Sequence, residues 1–188
     1  METDANRVVA EILRADDTFL IEVGRLTLLF SHIEDLLVQN VLWLLEIVDD
    51  TRAREEAVSN IPNLRVLEKR DYLRRLCSEI GRFYDVDYSR VGKVLDDLGN
   101  INRLRRTVVH GWIRWSQAEE MPIFTDSHGH SSVASSESVA DLNIKVLNWV
   151  RQYCSEQAAL MRSVLCAYDS FKLLRCPKIS AMPDPTLY

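Results

Sequence analysis

Two side chains that suit phosphate chemistry lie five residues apart near the middle of this chain. Arg105 and His110 belong to the segment INRLRRTVVHGWI, which begins at Ile101. An arginine can hold a phosphate through two parallel hydrogen bonds and favours negative charge that develops there. A histidine exchanges a proton near neutral pH, which suits a general acid or base. The pair therefore indicates chemistry at a phosphate ester, with Asn102, Arg103, Arg106 and Trp112 as supporting candidates.

The helix that carries these groups is predicted to place a cation in an apolar stripe. At about 100° per residue, Arg105 falls in the middle of one face. The apolar members of that face are Val91, Val94, Leu98, Ile101, Val108 and Val109. An arginine in such a place needs a paired charge or an open cleft. Gly111 follows His110 and is expected to close the helix in the left-handed conformation.

Composition predicts a globular, mostly helical protein. The chain has 188 residues, of which 47% are hydrophobic and 27% charged, and it has only six Gly and five Pro. That length suits one domain with one core, which we place at residues 1–176, with an extended tail at 177–188. The net charge is −5, so any contact with nucleic acid must come from a local basic patch.

Several classes of protein are disfavoured by the residue pattern. The four cysteines form no CxxC pair, which favours reduced thiols in a cytoplasmic protein. The N-terminus is acidic and lacks the apolar core of a signal peptide. The apolar stretch 26–48 contains polar residues that argue against a membrane span. His128 and His130 lack nearby acidic or cysteine companions, so we expect no metal and no cofactor.

Helical spacing of apolar residues predicts the secondary structure. The predicted helices cover about residues 4–13, 17–48, 52–59, 64–83, 87–110 and 138–174. The fold class is therefore all-α, an antiparallel helical bundle, with a small β-hairpin near residues 112–125. The serine-rich segment 125–138 is expected to be a mobile loop. The last helix is expected to open at Ser138 with Asp141 in a capping box, and to end at Cys176-Pro177.

Two charged features of these helices allow more than one interpretation. The predicted helix 64–83 carries six cations diluted by acids, which is typical of a solvated surface with paired charges or of a wall that binds phosphate. Glu34 lies at the edge of the apolar stripe of the long helix 17–48, where a carboxylate needs a partner. We expect Arg105 to be that partner. Alternatively, Glu34 reaches water or caps a neighbouring backbone group.

The segment around Arg105 and His110 resembles the motif of the HEPN superfamily. Ribonucleases of that superfamily carry Arg, then four to six residues, then His, which both Arg105-x4-His110 and Arg103-x6-His110 match. The resemblance extends in outline to the long first helix, FSHIEDLLVQNVLWLL. The family commonly has Asn, Asp or His after the catalytic Arg, whereas this chain has Arg106.

The resemblance implies a metal-independent endoribonuclease of the toxin or antiviral type, with RNA as substrate. It also implies a homodimer whose two protomers build a composite site, and a neutralising antitoxin as a further partner. The main alternative is a non-catalytic interaction protein on the same fold, in which Arg105 pairs inside the bundle and His110 caps a helix. A ligand-sensing bundle or another enzyme is the third possibility.

Overall fold

The computed structural model describes residues 17–47, 51–116, 121–125 and 127–172, and it confirms the predicted mostly helical class with a small β insertion. The helices are α1 (Asp17–Ile47), α2 (Thr51–Asn60), α3 (Val66–Tyr84), α4 (Ser89–His110) and α5 (Ser136–Lys172), with a 3-10 turn at Ile61–Asn63. The strands are β1 (Trp112–Ser116), β2 (Met121–Thr125) and β3 (Ser131–Val133). The predicted helix at 4–13, the end of the last helix and the tail at 177–188 lie outside the described residues.

The contacts divide the chain into two units. The first unit takes the described residues of 17–31 and 97–150, and the second takes those of 32–96 and 151–172. Three helices, α1, α4 and α5, contribute residues to both units. The predicted site residues belong to the first unit, except the supporting candidate Glu34, which belongs to the second.

Helix α1 supplies much of the apolar core. Its fully buried side chains recur at helical spacing and include Leu26, Phe30, Ile33, Leu37, Val41 and Leu44. By length and composition α1 could also cross a bilayer. Its polar side chains nevertheless bond to protein: Asn143 Nδ2 donates to the Glu22 carboxylate at 2.8 Å, and Asn40 Nδ2 donates to the Tyr153 hydroxyl at 2.9 Å. Such bonds are those of a helix packed in a protein core.

The predicted hairpin is present, and a third strand joins it. Strands β1 and β2 pair antiparallel with Ile113 opposite Phe124, and β3 pairs antiparallel with β2. Phe124 is buried and its ring stacks on Phe19 of α1 at 5.9 Å, which fixes one face of the sheet against that helix. The expectation that 125–138 is entirely loop was wrong, because Ser131–Val133 pairs with the free edge of β2. Two serines and a valine carry little strand signal of their own.

Helix α5 begins two residues before the predicted Ser138. Ser135 and Ser138 form the cap: the Ser138 backbone N–H donates to the Ser135 hydroxyl, and the Ser135 N–H donates to the Ser138 hydroxyl, both at 3.2 Å. This reciprocal arrangement is the geometry of a capping box with serine in place of the usual glutamate. The predicted box of Ser138 with Asp141 was therefore three residues too late.

The core of the second unit contains polar groups that stay uncharged. Burial raises the pKa of the Cys77 thiol to about 12, and it raises the pKa of Tyr153 well above its ordinary value. The Tyr153 hydroxyl has Asn40 as its partner. Both groups are protonated at neutral pH, so they serve packing rather than chemistry.

Candidate nucleic-acid interface

The end of α4 and the start of β1 form a basic segment without acids. Between Leu98 and Ala118 the sequence has four arginines and one histidine, and no Asp or Glu. The whole chain has a net charge of −5, so this concentration of cations is local. Such a segment attracts phosphates even though the protein as a whole is acidic.

Two of these arginines and the histidine share one exposed face of α4. Arg103, Arg106 and His110 are all exposed. At about 100° per residue they fall within an arc of about 60°. The surface between them is therefore open to a ligand that approaches from solvent. This face matches the Arg103-x6-His110 spacing.

Arg105 lies on a different side of the helix. It is about 140° from His110 around the axis. Its guanidinium carbon lies 5.2 Å from the centroid of the Phe30 ring of α1, which is a cation–π contact. The side chain is half-buried, and its Nε is buried without a partner in the described parts of the chain. Arg105 is thus the cation of the apolar stripe, and an aromatic ring faces it.

The partner of Glu34 is Lys69 of α3. Lys69 Nζ donates to the Glu34 carboxylate at 2.8 Å, and the Lys69 side chain is only 6% exposed. The expected pair of Glu34 with Arg105 is therefore replaced by a pair within the second unit. Sequence reasoning missed it because Lys69 was assigned to the outer, cationic face of its helix.

Asn102 lies inside the protein rather than on the exposed face of α4. Its side chain is 4% exposed, and its Oδ1 has no partner among the described residues. The structure therefore does not offer this amide to solvent beside His110. Thr107, also buried, donates from its hydroxyl to the Arg103 carbonyl oxygen at 3.1 Å, one helical turn back.

Gly111 fixes the turn from α4 into the sheet by close approach. Its N–H donates to the Thr107 carbonyl oxygen at 3.0 Å, and a Cβ at Gly111 would lie 2.1 Å from that oxygen. The Thr125 carbonyl oxygen of β2 would lie 3.1 Å from the same Cβ. The expected left-handed conformation is wrong, because the described glycine with positive φ is Gly129. Glycine is needed at 111 because no side chain fits there.

Beyond this turn, β1 presents an aromatic ring and another cation to solvent. Trp112 is 70% exposed and Arg114 is exposed, whereas Ile113 between them is half-buried. Arg114 was absent from the predicted site. The alternation of apolar and polar residues from Ile113 to Ser116 is the signal that could have identified it.

The two loop histidines, His128 and His130, have ring centroids 6.3 Å apart. Within the described ranges, no group of three His, Cys, Asp or Glu side chains could hold a metal ion. The arrangement at α4 and β1 thus offers cations, one titratable ring and one aromatic ring.

When the chain is compared with protein-family models, curated proteins and solved structures, none of them matches it.

Proposed function

We propose that this protein is a metal-independent endoribonuclease of the HEPN type, with the toxin or antiviral role that the resemblance implies. One observation supports the proposal most: Arg103, Arg106 and His110 are exposed together on one face of α4, in a segment without acidic residues. A phosphate on this face would meet two guanidinium groups and an imidazole. RNA is the substrate because its 2′-hydroxyl supplies the nucleophile.

Cleavage requires that one proton leaves the 2′-hydroxyl and that one reaches the departing 5′-oxygen. The 2′-oxygen forms a bond to the adjacent phosphorus as the bond from phosphorus to the 5′-oxygen breaks. His110 transfers one of these two protons, as general base towards the 2′-hydroxyl or as general acid towards the 5′-oxygen, and solvent water exchanges the other. The products carry a 2′,3′-cyclic phosphate and a 5′-hydroxyl. Single-stranded RNA is favoured because in-line attack requires a backbone that is free to rearrange.

Arg103 and Arg106 are the phosphate-binding residues of this proposal. Their planar guanidinium groups hold phosphate oxygens and stabilise the charge that develops as the bond breaks. Arg105 matches the shorter motif spacing, but it faces Phe30. We therefore assign Arg105 to positioning α4, and Arg103 to the role that the motif gives its arginine.

Cleavage of a labelled single-stranded RNA in EDTA tests the proposal. His110→Ala should lower the rate about 10²- to 10⁴-fold, the usual worth of acid–base catalysis. His32→Ala is the matched control, because His32 is an exposed histidine of α1 outside the basic segment. Loss of cleavage in EDTA, products with a 5′-phosphate, or full activity of His110→Ala would contradict the mechanism.

A second function, that of an interaction protein, is favoured by an apolar groove in the first unit. The groove has a volume of about 500 Å³ and lies between α1 and α5, lined mainly by Leu28, Leu29, Ile144 and Leu147. Leu28, Ile144 and Leu147 are 73%, 54% and 41% exposed, and a group of exposed apolar side chains is typical of a surface that binds another protein. A second copy of the chain, as in the homodimer that the resemblance implies, or an antitoxin would fit such a surface.

Light scattering at micromolar concentration tests the dimer. Leu28→Asp should convert the dimer to monomer, and a wild-type protein that is monomeric would contradict the dimer.

A further inference from the structure

The most exposed tryptophan of the described residues lies two positions after His110. Tryptophan is usually largely buried, whereas Trp112 is 70% exposed. Gly111 joins the two residues, and its lack of a Cβ holds the chain close to the backbone of Thr107 and Thr125. The backbone of Trp112 is therefore held at the turn from α4 into β1, two residues from His110.

The sheet register places Arg114 on the same face as Trp112. Trp112 is opposite Thr125 and Arg114 is opposite Ile123, so all four side chains lie on one face of the sheet. The other face carries Phe124, which stacks on Phe19 of α1. Trp112 and Arg114 thus lie on the face of the sheet that α1 does not cover.

A buried hydroxyl on this face has no hydrogen-bond partner among the described residues. Thr125 is 9% exposed, and its Oγ1 is unpaired within the described parts of the chain. Buried polar atoms are usually paired, so this one marks a place where a polar ligand edge would be favourable. Its direct cross-strand neighbour is Trp112.

The chemistry of this face fits an unpaired nucleobase better than a lipid surface. A base offers a flat ring to Trp112, polar edges towards Thr125, and an attached phosphate to Arg114. Arg103, Arg106 and His110 continue the cationic surface on the adjoining helix. A bilayer would require several large apolar side chains at one depth, whereas the exposed Trp112 and Val133 of this face are accompanied by the exposed Arg114 and Ser131.

We propose that Trp112 is a stacking platform for one unpaired RNA base beside the scissile phosphate, with Arg114 holding the neighbouring phosphate. This inference rests on the proposed function, because His110 defines which phosphate is scissile. The platform sets which RNA segments bind: those with an unstacked base at this position. Trp112 is a binding residue in this account, and His110 performs the proton transfer.

Binding of a fluorescein-labelled 2′-O-methyl oligoribonucleotide tests the platform without cleavage, since that RNA has no free 2′-hydroxyl. Trp112→Ala should weaken binding about 5- to 100-fold, the range for loss of one base–aromatic stack. Trp112→Phe should keep most of the affinity. Trp43→Ala is the control, because Trp43 is 44% exposed on α1 and lies in the second unit. Circular dichroism melting checks that the variants fold.

An abasic site moved along the same oligonucleotide locates the stacked base. At one position the abasic site should weaken the binding of the oligonucleotide by wild type. At that same position it should not lower the affinity of Trp112→Ala any further. Three results would overturn the platform. Trp112→Ala could bind the oligonucleotide as tightly as wild type does, or the abasic site could weaken binding equally at every position. The third result is that the protein binds anionic vesicles in preference to the oligonucleotide. If the affinity for the oligonucleotide depends on Trp112 but ordinary RNA is not cleaved, the platform stands and the nuclease proposal fails. If RNA is cleaved equally by Trp112→Ala, the nuclease proposal stands and the platform fails.

Discussion

Helix α3 and the α4–β1 segment both carry several arginines, but their cations have different surroundings. Three of the cations of α3 are paired with acids at hydrogen-bond distance. The pairs are Lys69 with Glu34 at 2.8 Å, Arg70 with Asp71 at 2.6 Å, and Arg74 with Asp96 at 2.8 Å. In the described parts of the chain, none of Arg103, Arg106 and Arg114 has an ion pair. Of the two interpretations of helix 64–83, paired surface charge is therefore the one that the structure favours.

The difference shows why a count of arginines does not identify a phosphate-binding surface. A cation that already has a carboxylate partner must lose it before it can bind a phosphate, and the two negative groups repel each other. An unpaired exposed guanidinium loses only water. The acids interspersed along α3 thus reduce the attraction of that helix for a polyanion such as RNA. Between Leu98 and Ala118 there are no acids to offset the positive charge of the arginines.

The largest expected effect separates the two arginine-rich surfaces directly. Arg103→Ala with Arg106→Ala should lower kcat/KM for RNA cleavage about 10²- to 10³-fold, because charge on the transition-state phosphate loses its donors. The matched double variant on α3, Arg70→Ala with Arg74→Ala, should change it less than about twofold. Initial rates with a labelled RNA measure both. Equal losses in the two double variants would show that the pairing of α3 does not matter.

The next effect tests the structural role of α3. Glu34→Ala leaves the Lys69 ammonium buried without its partner, and Lys69 is 6% exposed. The free energy of unfolding should fall by about 3 kcal/mol, the low end for breaking a buried pair, because Glu34 itself is 35% exposed. Urea denaturation measures the loss. Glu46→Ala is the control, since the pair of Glu46 with Arg54 is exposed and should be worth less than about 0.5 kcal/mol. A similar change in both variants would contradict the role of Lys69.

The smallest effect concerns Arg105, which lies in the basic segment but faces Phe30. Arg105→Ala should cost about 1 kcal/mol of unfolding free energy, the worth of a partly desolvated cation–π contact. The effect should shrink in a Phe30→Leu background, because the two residues would then be coupled. Cleavage by the folded variant should stay within a few-fold of wild type. A loss of 10²-fold or more with unchanged stability would instead make Arg105 the catalytic arginine of the shorter motif.

Much of the fold follows from local patterns along the chain. Helical spacing of apolar residues located α1 at 17–48 against the observed Asp17–Ile47, and two short runs of β-forming residues located the hairpin at β1 and β2. The basic character of 98–118 is likewise a property of the sequence alone. These features depend on neighbours within a few residues, which a pattern of period 3.6 or 2 records. Strand β3 was missed because it depends on an edge of β2 rather than on its own composition.

The partners of Glu34 and Arg105 were decided by the tertiary structure. The sequence presented Glu34 and Arg105 as two charges beside apolar stripes, and pairing them was reasonable. The fold instead gives Glu34 to Lys69, which is 35 residues away along the chain, and places Phe30 against Arg105. Which side chains meet depends on how helices rotate and pack, and this is set by the whole core. The sequence alone therefore determined which positions carry cations, and tertiary packing decided which of those cations are paired within the described parts of the chain.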